Sequence, residues 1–406
     1  MDLIFNELRG GRNRMRKLNL RRAQSTASRG VAGATLASFF LVVFFGVVVV
    51  HTPATAGVAI SDKLSVFGDL RVRYELDDQD RSNTGAADRD RDRVRLRARF
   101  GFKHQSTDKI SFGMRFATMA GTSLQSPHQT LGVADTVTDN ADFGLDRAYI
   151  ETKWGKGGFL WLGKHGISFW EQNEQFWDGD IQPEGAGVGY KFGLSDGASL
   201  LLQSTVTYLV DEGWSDNSGT FDDDIGSTLQ AVYTRGPMIL AVGSLFIADQ
   251  GDDVNIQGGS ATYTIASIQY KAQAGGLPLK LGFDWLHGED VVMNGVANET
   301  LGGSPDESGY VLNASTKKGK WGFQFKHHYV PLNSVPLQGQ VSQDNFPFSS
   351  NFEGQRYQVG YNFGSGVKAD FRVYNQDMIA GVSSAGTWVQ TVDDVQRYQV
   401  NLNAKF

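Results

Sequence analysis

Arginine occupies every second position in the run Arg93-Val94-Arg95-Leu96-Arg97-Ala98-Arg99-Phe100. Successive side chains of a β-strand point to opposite faces, so this run predicts a strand with an arginine face and an apolar face. A soluble sandwich would bury the apolar face and leave the arginines in water. A membrane barrel reverses this arrangement, because its apolar face meets lipid and its charged face lines a wet lumen. The rest of the chain decides between the two.

The N-terminal segment has the residue order of an export signal. Residues 1–30 hold eight basic side chains, residues 31–50 hold no charge, and Ala54-Thr55-Ala56 precedes Gly57. Basic, then apolar, then small residues are typical of a signal peptide. A retained membrane helix is the alternative, because twenty apolar residues can span a bilayer. We expect a cleaved signal peptide at 1–56 and one β-barrel domain at 57–406, exported through the periplasm to a Gram-negative outer membrane.

The composition excludes several functions. Residues 57–406 keep 30 basic and 42 acidic side chains, a formal net charge of about −12, which argues against nucleic acid as a partner. There is no cysteine, no HExxH motif and no G-x-S-x-G motif, so we expect no enzyme, no cofactor and no metal site. Carboxylates cluster at 222–224 and 249–253, where calcium could bind, although solvated acidic loops are the simpler interpretation.

The alternation of the arginine run recurs along the whole chain. The first strand is predicted near 63–76, the arginine strand near 93–104, and similar segments continue to the last residues. Seven short connections alternate with eight long ones, which gives sixteen strands, an even number as in single-chain bacterial barrels. No second uncharged stretch of helical length follows residue 50, so a mature chain in a membrane must be a barrel. The pattern predicts an all-β, transmembrane, antiparallel up-and-down β-barrel.

Two segments fit the alternation poorly. Residues 238–247 are apolar on both faces, and residues 261–272 mix apolar and polar side chains on each face. Either the alternation is imperfect there, or one of these strands lies under a loop or a subunit contact.

The third long loop, residues 168–184, is predicted to fold into the bore and to form its narrowest point with the arginine strand. Its aromatic residues Phe169, Trp170, Phe176 and Trp177 need a surface to pack against. Inward glycines at 185, 187 and 189 are expected to make room for it. Acidic side chains on the loop, facing arginines on the wall, would set a transverse field of the kind that controls selectivity. The acidic candidates are Glu171, Glu174, Asp178, Asp180 and Glu184.

The predicted pore lining is basic. The inward arginine candidates for the lining and the constriction are Arg71, Arg73, Arg93, Arg95, Arg97, Arg99, Arg115 and Arg147. Further inward cations are Lys153, Lys191, Lys280 and Arg372, and few acids are expected beside them. This balance predicts an anion preference.

Four motifs carry a resemblance to the bacterial "putative porin" family of outer-membrane barrels, most clearly over residues 91–193. They are Arg93-Val94-Arg95-Leu96-Arg97, Leu145-Asp146-Arg147-Ala148-Tyr149-Ile150, Leu162-Gly163-Lys164 and, most specifically, Phe176-Trp177-Asp178-Gly179-Asp180-Ile181-Gln182-Pro183-Glu184-Gly185. The resemblance implies a sixteen-stranded homotrimeric channel, surrounded by outer-membrane lipid and lipopolysaccharide. We expect a porin for passive diffusion of small hydrophilic solutes. A more distant likeness to alginate-export barrels gives the alternative, a dedicated channel or exporter for an anionic polysaccharide.

Overall fold

Alternating apolar and polar residues form long antiparallel strands. The structure, a computed structural model, describes residues 57–80, 88–119, 127–132, 142–210, 224–248, 261–289, 292–293, 296–297, 307–336, 345–379 and 394–406. The expected signal peptide lies outside these ranges, as do both acidic loops considered for calcium except residue 224. Within these ranges, no helix has the length and apolar character needed to cross a membrane.

Sixteen strands of seven to seventeen residues follow one another along the chain. They are β1 (Leu64–Asp80), β2 (Arg89–Gln105), β3 (Ile110–Met119), β4 (Asp142–Trp154), β5 (Gly158–Lys164), β6 (Glu184–Gly193), β7 (Ser199–Val210), β8 (Asp224–Arg235), β9 (Met238–Ala248), β10 (Ala261–Ala274), β11 (Leu277–Glu289), β12 (Ser308–Lys318), β13 (Trp321–Val330), β14 (Phe352–Gly364), β15 (Val367–Met378) and β16 (Asp394–Lys405).

These strands close into a barrel. Each strand pairs antiparallel with its neighbours in sequence, and β1 pairs with β16 from Asp69 opposite Lys405 to Asp80 opposite Asp394. Closure pairs the first and last strands with each other and so removes the exposed edges of an open sheet. The predicted all-β barrel of sixteen strands is confirmed.

The two faces of the barrel differ as a membrane barrel requires. On β8, Leu229 is 60% exposed, whereas Thr228 and Gln230 on either side of it are 2% exposed. The same alternation places large apolar side chains on the outward face of most strands and polar ones on the inward face. An apolar exterior around a polar interior is the pattern of outer-membrane barrels.

The first two strands extend beyond their predicted limits. β1 reaches Asp80 and β2 begins at Arg89, so the connection between them is shorter than the sequence suggested. The added residues pair in register, and the Arg91 guanidinium lies 2.5 Å from the Asp77 carboxylate of the opposite strand. Cross-strand pairing of opposite charges stabilises a strand end that has no apolar face.

Part of the second long loop returns to the barrel wall. Gln129–Thr130 forms a two-residue strand that pairs with Leu96 and Arg95 of β2, above the point where β3 ends. The side chain of His128 is buried there, with its Nε2 3.4 Å from Arg71 Nη1. No alternation in the sequence marks this short segment.

The third loop, residues 165–183, crosses the inside of the barrel. Phe176 and Trp177 belong to one buried apolar cluster with inward residues of β9 and β10, among them Leu245, Tyr263 and Ile265. This packing explains why both strands depart from simple alternation: they lie under a loop, as one of the two alternatives proposed. At Gly243, a side-chain Cβ would come within 2.7 Å of the Phe169 ring, so a larger residue would force the ring of the crossing loop to move.

The glycines that follow the loop have a different role from the one expected. Above Gly187 and Gly189, the space is filled mainly by the inward rings of Trp161 and Phe159 on β5. The third loop contributes one contact there, through Ser168, whose hydroxyl accepts a hydrogen bond of 2.8 Å from Trp161 Nε1.

Candidate functional site

The eight predicted arginines lie on the inward faces of four neighbouring strands, β1 to β4. We call this surface the arginine wall. The register places Arg71 opposite Arg97 and Arg73 opposite Arg95, so like charges face one another across β1 and β2. Like charges in such positions destabilise a sheet unless opposite charges lie between them.

Two aspartates bridge Arg97 and Arg99, the arginines of β2 nearest the short turn to β3. Asp69 on β1 lies 2.9 Å from Arg97 and 2.8 Å from Arg99. Asp180 of the third loop lies 3.2 Å from Arg97 and 2.7 Å from Arg99. Each guanidinium therefore contacts one carboxylate from the wall and one from the loop, and charge-assisted bonds of this kind are the strongest that side chains make.

The part of the wall nearest the long β1–β2 connection is also neutralised. Glu75 and Asp77 on β1 are 0% exposed. Glu75 pairs with Arg93, and Asp77 accepts bonds of 2.5 and 2.9 Å from Arg397 on β16 as well as one from Arg91. Carboxylates so deeply buried are stable only with charged partners.

The remaining arginines of the wall bond mostly to neutral groups. Arg71 Nε donates to Asn403 at 2.6 Å, and Arg73 Nε donates to Asn401 at 2.7 Å. Arg95 donates to the His128 carbonyl at 3.1 Å. Two others complete the set: Arg115 pairs with Asp146, and Arg147 has no ion pair among the described residues.

The expectation of few inward acids is wrong. Asp69, Glu75 and Asp77 alternate with Leu70, Tyr74 and Leu76, so they share the inward face with Arg71 and Arg73. The alternation rule predicts these three acids when it is applied to every residue of β1 and not only to its arginines. Carboxylates therefore offset much of the positive charge of the wall.

Of the five acidic candidates, Asp180 forms ion pairs with the arginine wall. Burial alone would raise the pKa of Asp180, but the positive charges of Arg97 and Arg99 outweigh it and hold the pKa below its usual value. Asp178 is buried, and one of its oxygens accepts a bond of 2.8 Å from the Asp180 amide. It therefore shapes the loop around Asp180.

The other three acids have different surroundings. Burial raises the pKa of Glu171 well above its usual value, the charge of Glu174 adds to this, and the Trp177 amide donates to Glu171 at 3.3 Å. Glu174 lines the open space beside the loop. Glu184 is the first residue of β6, and the alternation places its side chain on the outward face of the barrel, where it pairs with Lys164 at 3.2 Å. The prediction that it lines the constriction is therefore wrong.

Polar side chains of distant strands hold the third loop across the lumen. Gln230 of β8 accepts from the Trp170 amide at 2.6 Å and donates to the Trp170 carbonyl at 2.7 Å. Asp284 of β11 accepts from Gln172 at 2.6 Å and also from Asn173. These anchors were not predicted, although the alternation of β11 places Asp284 on its inward face.

A central cavity of about 340 Å³ remains between the loop and the walls. Arg71 and Arg97 of the arginine wall lie on one side of it, and Glu174 and Asp180 of the loop lie on another. The third side carries Lys326 of β13, Arg356 of β14 and Arg372 of β15. Basic side chains therefore surround most of this space.

A larger cavity of about 960 Å³ adjoins it towards the short turns of β10–β14. The two share Gln324 and Gln358. The inward lysines of the larger cavity are Lys271, Lys280 and Lys317, and we call it the lysine vestibule. No cluster of three or more potential metal-binding side chains occurs in the described ranges.

The comparisons with known proteins agree with this architecture. The family model described as "Putative porin" matches residues 79–210, which confirms the resemblance found in the sequence. The barrel is similar to the Salmonella typhi OmpF structure in complex with daunomycin, at 11% identity and a TM-score of 0.52, over 86% of this chain and 100% of that one. A mutant Rhodopseudomonas blastica porin matches at 13% identity and a TM-score of 0.45, over 84% and 100%. The search of curated proteins found no match.

At such low identity, the likeness to solved structures establishes the fold alone. The family match over residues 79–210 supports an outer-membrane porin.

Proposed function

We propose that the protein is an outer-membrane porin through which small hydrophilic solutes diffuse passively, with its narrowest point between the third loop and the arginine wall. The path of the loop carries this proposal. The loop is anchored on β8 and β11 and reaches Arg97 and Arg99 on the far side through Asp180. A segment held at both ends narrows a lumen and leaves open the space beside it.

The proposed selectivity is a moderate anion preference. Five basic side chains line the central cavity, from Arg71 round to Arg372, against Glu174 and Asp180. The preference should be weaker than the number of arginines suggests, because Asp69, Glu75 and Asp77 offset much of the arginine wall. It should also fade at high salt, since the Debye length falls to about 3 Å at 1 M.

Purified protein in a planar lipid bilayer tests the channel function. We expect discrete conductance steps, and deletion of residues 170–177 should raise both the conductance and the size limit for neutral solutes. A folded protein that gives no steps would contradict the channel function. Unchanged values in a folded deletion variant would instead show that the loop is not the constriction. Tight block by alginate would favour the alternative, a channel for an anionic polysaccharide.

We also propose a homotrimer with a cleaved leader. The outward surface of β2 to β4 carries a cluster of rings, with Phe100 and Phe116 stacked at 5.3 Å and Phe143 6.3 Å from Phe100. Exposed aromatic clusters of this kind suit a subunit contact as well as lipid and lipopolysaccharide. Native mass spectrometry of the detergent-solubilised protein tests the trimer. N-terminal sequencing of protein from outer membranes should begin at Gly57.

A further inference from the structure

The lysine vestibule has a charge pattern that the arginine wall lacks. Lys271 on β10 lies directly opposite Lys280 on β11 in the strand register. Lys317 on β12 lies one strand further along the same cavity. Among the described residues, none of the three lysines has a carboxylate within 4 Å.

This arrangement leaves positive charge without an internal partner. Like charges directly opposite one another in a sheet repel and destabilise the pairing. On the arginine wall, one member of each such pair contacts a carboxylate, since Arg97 lies 2.9 Å from Asp69 and Arg73 lies 3.8 Å from Glu75. The vestibule adds only neutral groups, among them Gln273, Gln324 and Gln358. A bound anion would supply the missing charge.

The size and shape of the vestibule favour a solute over a single small ion. Its volume of about 960 Å³ is that of a small-molecule site. Gly322 faces Lys317 across β12 and β13, and a Cβ at Gly322 would meet nothing within 4 Å. The space beside the lysines is therefore open, and amide donors surround it.

The vestibule also leads towards the central cavity. Lys326 lies four residues beyond Gly322 on β13, about 13 Å away at the usual rise of about 3.3 Å per residue. Gln324, between them, lines both cavities. An anion leaving the central cavity would meet the three lysines next.

We propose that the lysine vestibule is a binding site for multivalent oxyanions, solutes with two or more phosphate or carboxylate groups, on the route between the central cavity and the short-turn end of the barrel. Ammonium groups bind phosphate as point charges from several directions, which suits a flexible or branched anion. The site rests on the proposed channel function, because its ligand reaches it through the lumen.

Block of single-channel current by tripolyphosphate tests this site. Wild-type channels in potassium chloride should be blocked in a concentration-dependent way. Lys271→Gln combined with Lys280→Gln should weaken the block about tenfold, because two charge contacts are lost. The matched control is Lys103→Gln combined with Lys153→Gln. It removes the same charge at the same end of the barrel, from lysines that both pair with Glu151, at 3.5 and 3.3 Å. The control should change the block less than twofold.

A second variant tests the site without removing a lysine. Gly322→Glu places a carboxylate in open space opposite Lys317 and should weaken the block by a similar factor. Circular dichroism confirms that each variant is folded. Equal weakening in the control pair would show that general charge at the barrel end, and not this site, attracts the anion, and would overturn the proposal. No weakening in either site variant would also overturn it. A folded wild type without conductance would remove the channel function itself.

Discussion

The arginine wall and the lysine vestibule are both basic in sequence, but they differ in what surrounds their charges. In the wall, carboxylates from β1 and from the third loop lie between the guanidinium groups, and the whole set is largely buried. In the vestibule, Lys271 and Lys317 are exposed and only neutral residues accompany the lysines. The wall uses its charges to hold strands and loop together, and the vestibule leaves its charges available to solutes.

Burial accounts for this difference. A buried guanidinium without a polar partner is strongly destabilising, so those packed between β16, β1 and β2 are held by carboxylates or by neutral acceptors within the fold. Lysines beside an open cavity keep their water and can remain unmatched. The number of basic residues on a wall is therefore a poor guide to the field that a solute meets.

The largest effect is expected from removing a buried carboxylate of the wall. Asp77→Ala leaves Arg397, itself 5% exposed, without its principal partner, and should lower the free energy of unfolding by about 3–5 kcal/mol. Thermal unfolding in detergent micelles measures this change in the free energy of unfolding. Asp196→Asn is the control, because its pair with Arg235 is exposed and should contribute less than about 1 kcal/mol. Equal effects would contradict the structural role of the wall.

A similar or slightly smaller effect is expected at the apolar anchor of the third loop. Trp177→Ala removes a side chain that is 2% exposed, which should lower the free energy of unfolding by about 3 kcal/mol. The loosened loop should also make the open-channel current noisier. Trp154→Ala is the control, because Trp154 is 39% exposed on the outward face. A quiet channel in folded Trp177→Ala would show that the aromatic packing does not fix the loop.

A moderate change in selectivity is expected when a carboxylate partner of the arginine wall is removed. Asp180→Asn leaves Arg97 and Arg99 with Asp69 as their shared carboxylate, so the ratio of chloride to potassium permeability should rise about two- to fivefold. Reversal potentials in a potassium chloride gradient measure this ratio. Glu184→Gln should leave the permeability ratio unchanged, because Glu184 pairs with Lys164 on the outward face of the barrel. No change in Asp180→Asn would mean that solutes do not pass close to these arginines.

The smallest effect concerns pH. The pKa of Glu171 is raised by burial, so the folded protein binds its proton more tightly than the unfolded chain does. Stability should therefore increase as pH falls through the raised pKa towards the ordinary Glu value near 4.3. Glu171→Gln should flatten the dependence of the unfolding midpoint on pH over this range.

Asp180 should behave in the opposite way. Its pKa is lowered, so its stabilising contacts with Arg97 and Arg99 are present above the ordinary Asp value near 3.9 and are lost only below it. The channel's selectivity should therefore stay constant between about pH 7 and pH 5. A shift in this range would indicate that Asp180 is already protonated.

The barrel itself could be predicted from period-two alternation, because each face of each strand meets a different medium. The two strands that broke the rule, β9 and β10, did so because the third loop covers their inward faces with Phe176 and Trp177. The sequence shows that these two strands are exceptions, but it does not show which segment covers them. The exact strand ends were missed where ion pairs such as Arg91 with Asp77 replace apolar packing.

The candidate site was only partly predictable. Parity placed the arginines on the inward face, but it could not say which acid of the third loop would reach them, since that depends on the loop's path across the lumen. The folding back of His128 onto β2, and the hold of Gln230 on the Trp170 backbone, involve residues more than thirty positions apart. Nothing in local sequence encodes such contacts.

The seam between β1 and β16 has a consequence for how the barrel forms. Its partners are distant in sequence, as in the bonds from Arg71 to Asn403 and from Arg397 to Asp77, which span more than 300 residues. Contacts of such separation require the largest loop closure and slow the folding of any chain that depends on them. Until β16 arrives, β1 keeps an unpaired edge and Asp77 lacks its main cation. The charged seam would therefore be the last part of the barrel to become stable and the part most exposed to wrong pairing with another chain.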